Sequence, residues 1–155
     1  MDNVNVIRVG FFAPAIIIPD TDREIDDPID RSGAKYTCLI LVNADEFGAR
    51  VIGDIEKALS ISFGGHTWNV SAIVPEKVRP AGEFKARSGF STRLFSDGDI
   101  RYGKHYHIAD SASAKPKYHA TIFVIGDEGS VRYRCAIEDR PYNDKEIIRE
   151  MSGIA

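Results

Sequence analysis

Apolar positions along this chain come in short blocks whose spacing changes from two to nearly four and back. Val4, Val6, Ile7 and Val9 open a β-branched run that continues through Phe11, Phe12 and Ile16 to Ile18. Pro14 interrupts it, which predicts a bulge or an edge position there. Lys35 to Val42 (KYTCLILV) is nearly continuous in its apolar centre and predicts a strand covered on both faces. The period then lengthens. Ala44, Phe47, Val51, Ile55, Ala58 and Leu59 fall on one side of a helix, with Asp45, Glu46, Arg50, Asp54 and Lys57 on the other. Asn43 followed by Glu46 predicts an N-cap with a capping-box partner, and Gly64-Gly65 a stop.

Beyond the helix the pattern shortens again. His66 to Val74, Tyr102 to Ile108, Tyr118 to Ile125 and Val131 to Ile137 predict strands. Pro75, Pro80 and Gly82 form a connector, Ser96-Asp97-Gly98-Asp99 a hairpin tip, and Ser111 to Pro116 a further turn. After Pro141 the tail DKEIIREMSGIA predicts one short helix or a frayed end. The expected architecture is mainly β with one amphipathic helix, a small β-barrel or an α+β roll. Residues 1–140 form the domain and 141–155 a short C-terminal tail, with no repeat and no linker.

Composition narrows the picture a little. The 155 residues, 43% hydrophobic and 28% charged, fit one ordinary globular domain. No apolar run reaches the length of a membrane span, and the start MDNVNVIRVG lacks a signal-peptide core, so a cytoplasmic location is expected. Cys38 and Cys135 lie in strand-like runs far apart in sequence and read as small buried hydrophobes, with no disulfide framework or zinc motif.

Charge is unevenly spread. The net charge is −3, yet Lys77 to Tyr118 carries nine Lys/Arg against four acids, or +5. The same stretch holds Phe84, Phe90, Phe95, Tyr102, Tyr106 and Tyr118. Cations interleaved with rings suit a flexible polyanion with exposed bases, through phosphate neutralisation and stacking. The plainer alternative is a pair of half-buried strands with a solvated basic face. The acidic run PDTDREIDDPID reads as a solvated loop, since the glycine and terminal glutamate of a calcium loop are absent.

Catalytic patterns are weak. His105 and His107 share a strand side and, with His119, raise the alternative of a metal-binding cupin-like or hydrolase barrel. Asp97 and Asp99 as paired acids compete with the hairpin tip that Gly98 marks. No nucleophile elbow or phosphate loop is present. The sequence is therefore expected not to be an enzyme and to need no cofactor or metal. A non-catalytic protein-interaction module is the remaining alternative. Lys85 and Arg87 alternate in one strand register, as do Tyr102, Lys104 and Tyr106, with Arg101 in the register of the histidines. Trp68, the only tryptophan, reads as core.

The order Asp97-Gly98-Asp99, then Tyr102-Gly103-Lys104-His105-Tyr106-His107-Ile108-Ala109-Asp110-Ser111, then Lys115-Pro116-Lys117, resembles the single-stranded DNA-binding proteins of tailed-phage replication. The opening strand with Phe and Pro, the polar loop and the Lys-Tyr-led strand before a helix are similar too. The resemblance implies an OB-like five-stranded barrel that protects single-stranded DNA, without sequence preference, during phage replication or recombination in the host cytoplasm. It implies a groove formed by Lys85, Arg87, Arg93, Phe95, Arg101, Tyr102, Lys104, Tyr106, Lys115, Lys117 and Tyr118. Replication partners such as polymerase or helicase follow from it, and a homodimer stays open. The chain departs from the family at its end, where REMSGIA replaces an acidic tail.

Overall fold

The computed structural model describes residues 8–30, 36–63, 68–110, 114–137 and 143–154. The start of the first apolar run, the Gly64-Gly65 stop, His66, Ser111 and Pro141 lie outside them. The elements in chain order are β1 (Ile18–Pro19), β2 (Ile25–Asp26), β3 (Tyr36–Leu41), α1 (Glu46–Phe63), β4 (Trp68–Val74), α2 (Val78–Ser88), β5 (Arg93–Ser96), α3 (Arg101–His105), β6 (Thr121–Ile125), β7 (Val131–Ala136) and α4 (Asp144–Ile154).

No barrel forms from them. A five-stranded open sheet runs in the order β5-β4-β3-β6-β7, with β1 and β2 as a separate hairpin. β3, β4 and β5 are mutually parallel, whereas β6 and β7 run antiparallel to their neighbours. Parallel pairing needs a crossover between strands, and α1 and α2 supply it. Both crossovers land on one face, as right-handed βαβ units require.

Each face of the sheet has its own core. On one, Val51, Ile52, Ile55 and Leu59 of α1, Phe84 of α2, and Ile147 and Met151 of α4 cover Cys38, Ile40, Ala72, Ile122, Val124 and Cys135. On the other, Ala13, Ile16, Ile18 and Ile29 join Tyr102, Tyr106 and Tyr118 over Leu39, Leu41, Ile73, Phe123 and Ile125. Strands covered on both sides read as unbroken apolar runs. That explains KYTCLILV and TIFVI, whose residues from Thr37 onward and from Thr121 onward are all buried.

The expectation of a mainly β barrel is thus corrected to a mixed α/β sheet with helices on both faces. Two segments account for the difference. Pro80 and Gly82 were expected in a connector, but Pro80 sits in the first turn of α2, where a missing N–H costs the helix nothing. Tyr102 to Ile108 was expected as a strand, but Arg101–His105 is helical. Tyr102 and Tyr106 stack there at i and i+4, ring centroids 4.6 Å apart.

The amphipathic helix forms as its spacing predicts, with a different cap. Asp45 Oδ1 accepts the Gly48 N–H at 2.8 Å, so Asp45 satisfies the first-turn donor. The Asn43 side chain turns away to the neighbouring loop. Its Oδ1 accepts the Tyr118 N–H at 2.8 Å and its Nδ2 donates to the Tyr118 carbonyl at 3.0 Å.

Candidate functional site

The basic stretch does not form one groove. Lys85 and Arg87 lie on α2, Arg93 and Phe95 on β5, Arg101, Tyr102 and Lys104 on α3, and Lys115 and Lys117 in the loop before β6. Phe95, Tyr102 and Tyr106 are fully buried, Tyr118 is 1% exposed, and Phe84 and Phe90 sit in the opposite core. A ring at 0% exposure offers no face to a base, so the stacking platform is absent.

Two of the arginines serve the fold. Arg93 Nε and Nη1 reach Asp20 Oδ2 and Asp26 Oδ2, each at 2.9 Å, tying the acidic hairpin to the sheet edge. Its guanidinium also lies 4.6 Å from the Phe95 ring centroid. The acidic run is therefore anchored, not merely solvated. Burial pushes the Asp20 carboxyl up, but its bonds to Arg93 and to backbone N–H groups hold it below 3.8 overall. Arg101 donates through Nη2 to the Ile17 carbonyl.

Asp97, expected at a hairpin tip, organises the turn from β5 into α3. It is 1% exposed. Its Oδ1 accepts the Tyr102 N–H and its Oδ2 the Gly103 N–H, both at 2.9 Å, and the Tyr118 hydroxyl donates to Oδ2 at 2.5 Å. Burial, reinforced by the adjacent carboxylate, raises the Tyr118 phenol well above 10.0. Burial likewise raises Tyr102, whose hydroxyl lies 3.4 Å from that of Tyr106. This cluster is closed to solvent and holds α3 in place.

Among the described residues, one set of the expected cations shares an open cavity. Lys104, Lys115 and Lys117 line a cavity of about 500 Å³ together with Ile100, His107, Ala109 and Asp110. The three expected metal ligands do not come together. His105 and His107 are at the end of α3 and His119 precedes β6, and no group of three or more His, Cys, Asp or Glu suited to a metal exists among the described residues. The cupin-like alternative falls with the barrel.

The chain's thiols lie elsewhere. Cys38, central in β3, is 0% exposed, and burial pushes its thiol up to about 12. Cys135, on the edge strand β7, is 5% exposed under α4. A thiol is made reactive where a helix N-terminus or a nearby cation stabilises the thiolate. The stretch leading into α1, from Val42 to Gly48, contains no cysteine. Both cysteines are free and buried, as the sequence led us to expect.

No family model matches this sequence, and no curated protein matches it. Solved structures do. Peroxidoxin BcpB from Mycobacterium tuberculosis superposes with a TM-score of 0.79 at 15% identity, over 96% of this chain and 99% of that one. A peroxiredoxin-like protein from Aquifex aeolicus gives 0.80 at 17% identity, over 97% and 89%. The bacterioferritin comigratory protein of Xanthomonas campestris, described for alkyl peroxide reduction, gives 0.74 at 14% identity, over 96% and 100%.

These likenesses overturn the resemblance to phage single-stranded DNA-binding proteins. With it go the OB barrel, the DNA-binding and replication roles, and the polymerase and helicase partners. The expectation of a non-enzyme, drawn from the weak catalytic patterns, and the alternative of an interaction module lose their support too, because the similar structures are those of peroxiredoxins. Among the described residues no helix is long and apolar enough to cross a membrane. End to end, the architecture is that of the peroxiredoxins, the thioredoxin-like fold.

Proposed function

We propose that this chain performs thiol-dependent peroxide reduction, with Cys135 as the thiol that meets the peroxide. The supporting observation is the superposition on peroxiredoxins along 94–97% of the chain. The residues narrow the reading. The sequence has two cysteines, and the one in β3 is sealed and held protonated. Cys135 lies on the edge strand β7, 5% exposed in the core that α4 covers.

The chemistry is a two-electron exchange. The Cys135 thiolate attacks one peroxide oxygen, an S–O bond forms as O–O breaks, and the alcohol leaves with a proton from solvent. The resulting sulfenic acid is reduced by a dithiol, which becomes a disulfide and releases water.

The test is consumption of tert-butyl hydroperoxide with dithiothreitol as reductant. Turnover above the dithiol background should persist in Cys38→Ser and vanish in Cys135→Ser, with a sulfenic acid trapped by dimedone on Cys135. A wild-type protein no faster than the dithiol alone, or equal turnover in both variants, would overturn the reading. The architecture would then stand here without that reaction.

A further inference from the structure

We infer that the cavity between α3 and the 114–117 loop is a binding site for a small phosphate-bearing anion, such as a phosphate ester or pyrophosphate. This site is separate from the thiol and does not rest on the peroxide reading.

The walls are built from two passes of chain. The first runs from Ile100 through α3 to Asp110, and the second from Ala114 to Lys117. They are laced together where the Asp110 N–H donates to the Lys117 carbonyl at 2.8 Å and Ala109 pairs with Tyr118. Just beyond, the His119 N–H donates to the Ile108 carbonyl at 2.7 Å. Behind the first pass, the buried Asp97 fixes α3 through the Tyr102 and Gly103 amides. The lysines therefore project from a supported frame.

The chemistry of the lining is lopsided. Lys104, Lys115 and Lys117 face one acid, Asp110, and His107 adds ring nitrogens. All three lysines are exposed, and among the described residues none of them is in an ion pair. Arg93 and Arg101 differ, since their guanidiniums are spent on Asp20, Asp26 and the Ile17 carbonyl. Three lysines without an ion pair lining one concavity of about 500 Å³ match a strongly charged anionic ligand in sign and leave room for it.

Backbone conformation marks the same place. Ile100 and His107 adopt left-handed φ values of 58° and 57°, and both line this cavity. A β-branched residue there is strained, and such strain persists where the surrounding structure enforces it, often at ligand sites. The two residues bracket α3, with Lys104 between them.

The test is a calorimetric titration of the intact protein with inorganic pyrophosphate at about 0.1 M salt, where surface charge alone is well screened. Saturable binding with a Kd of roughly 0.1 mM or tighter is expected. Lys104→Ala and Lys117→Ala should each weaken it roughly three- to tenfold, the order of one charge-assisted hydrogen bond. Lys145→Ala on α4, across the sheet, should leave it within about twofold, and Cys135→Ser should leave it unchanged. Amide shifts should cluster in 100–110 and 114–117. No saturation by about 10 mM, or equal weakening by Lys145→Ala, would overturn the site.

Discussion

The Tyr118 hydroxyl donates to the Asp97 carboxylate at 2.5 Å, with each residue 1% exposed, and so joins the loop before β6 to the turn before α3. Removing the hydroxyl leaves a buried carboxylate short of one donor. Tyr118→Phe should cost about 1–3 kcal/mol. Asp97→Ala, which orphans the Tyr102 and Gly103 amides as well, should cost more. Urea unfolding of the two variants measures both, and a larger loss for Tyr118→Phe than for Asp97→Ala would contradict this hierarchy.

The same phenols predict behaviour in base. Tyr102 and Tyr118 ionise in the folded protein only well above 10.0, chiefly because burial disfavours the phenolate. Above an ordinary tyrosine pKa of about 10 the unfolded chain loses protons that the folded one keeps, so stability falls as pH rises. Below that pH their contribution is fully present. Absorbance near 295 nm and circular dichroism should therefore show these tyrosines ionising together with unfolding.

Arg93 bridges Asp20, whose side chain is 4% exposed, and Asp26, which is 57% exposed. Arg93→Ala should cost about 1–2 kcal/mol, less than a fully buried pair because Arg93 is itself 39% exposed. Both carboxyls are held below 3.8 in the fold, so their share of stability is present above that pH and is lost as pH falls through the folded values. The variant should lose less stability than wild type on acidification below about pH 4, as thermal melts across pH 2–6 would reveal.

Two glycines are fixed by contact. A Cβ on Gly48 would lie 2.0 Å from the Asn43 carbonyl oxygen, and one on Gly103 would lie 2.5 Å from Tyr118 Cε1. Gly48→Ala meets backbone and Gly103→Ala a packed ring, so each should cost about 1–3 kcal/mol or more. Gly53→Ala, with nothing within 4 Å, should instead gain several tenths of a kcal/mol from helix propensity. Melting temperatures of the three variants give the comparison.

Helical spacing over Ala44 to Leu59 was legible because eighteen residues of α1 repeat one period several times. The five residues of α3 do not: Tyr102, Lys104 and Tyr106 fit a strand face as well as a helix. The unbroken apolar run in β3 already pointed to a sheet covered twice, and Pro80 hid the second crossover that would have completed that inference. Sequence located the cations and rings but not which way the rings point. Burial of Tyr102, Tyr106 and Tyr118 separates them from the lysines beside them. The cavity lysines were in the candidate set, whereas the strain at Ile100 has no signature in residue identity.

The central position of β3 has a consequence for biosynthesis. Its neighbour β4 follows within one crossover, but its other neighbour, β6, begins at Thr121, after most of the chain. A nascent chain leaving the ribosome would hold Cys38, Leu39 and Ile40 on an open hydrogen-bonding edge until that late segment emerged. Such edges recruit other chains. Translation arrested between residues 75 and 120 should thus release fragments prone to aggregation, and survival of the intact protein should depend on finishing synthesis quickly.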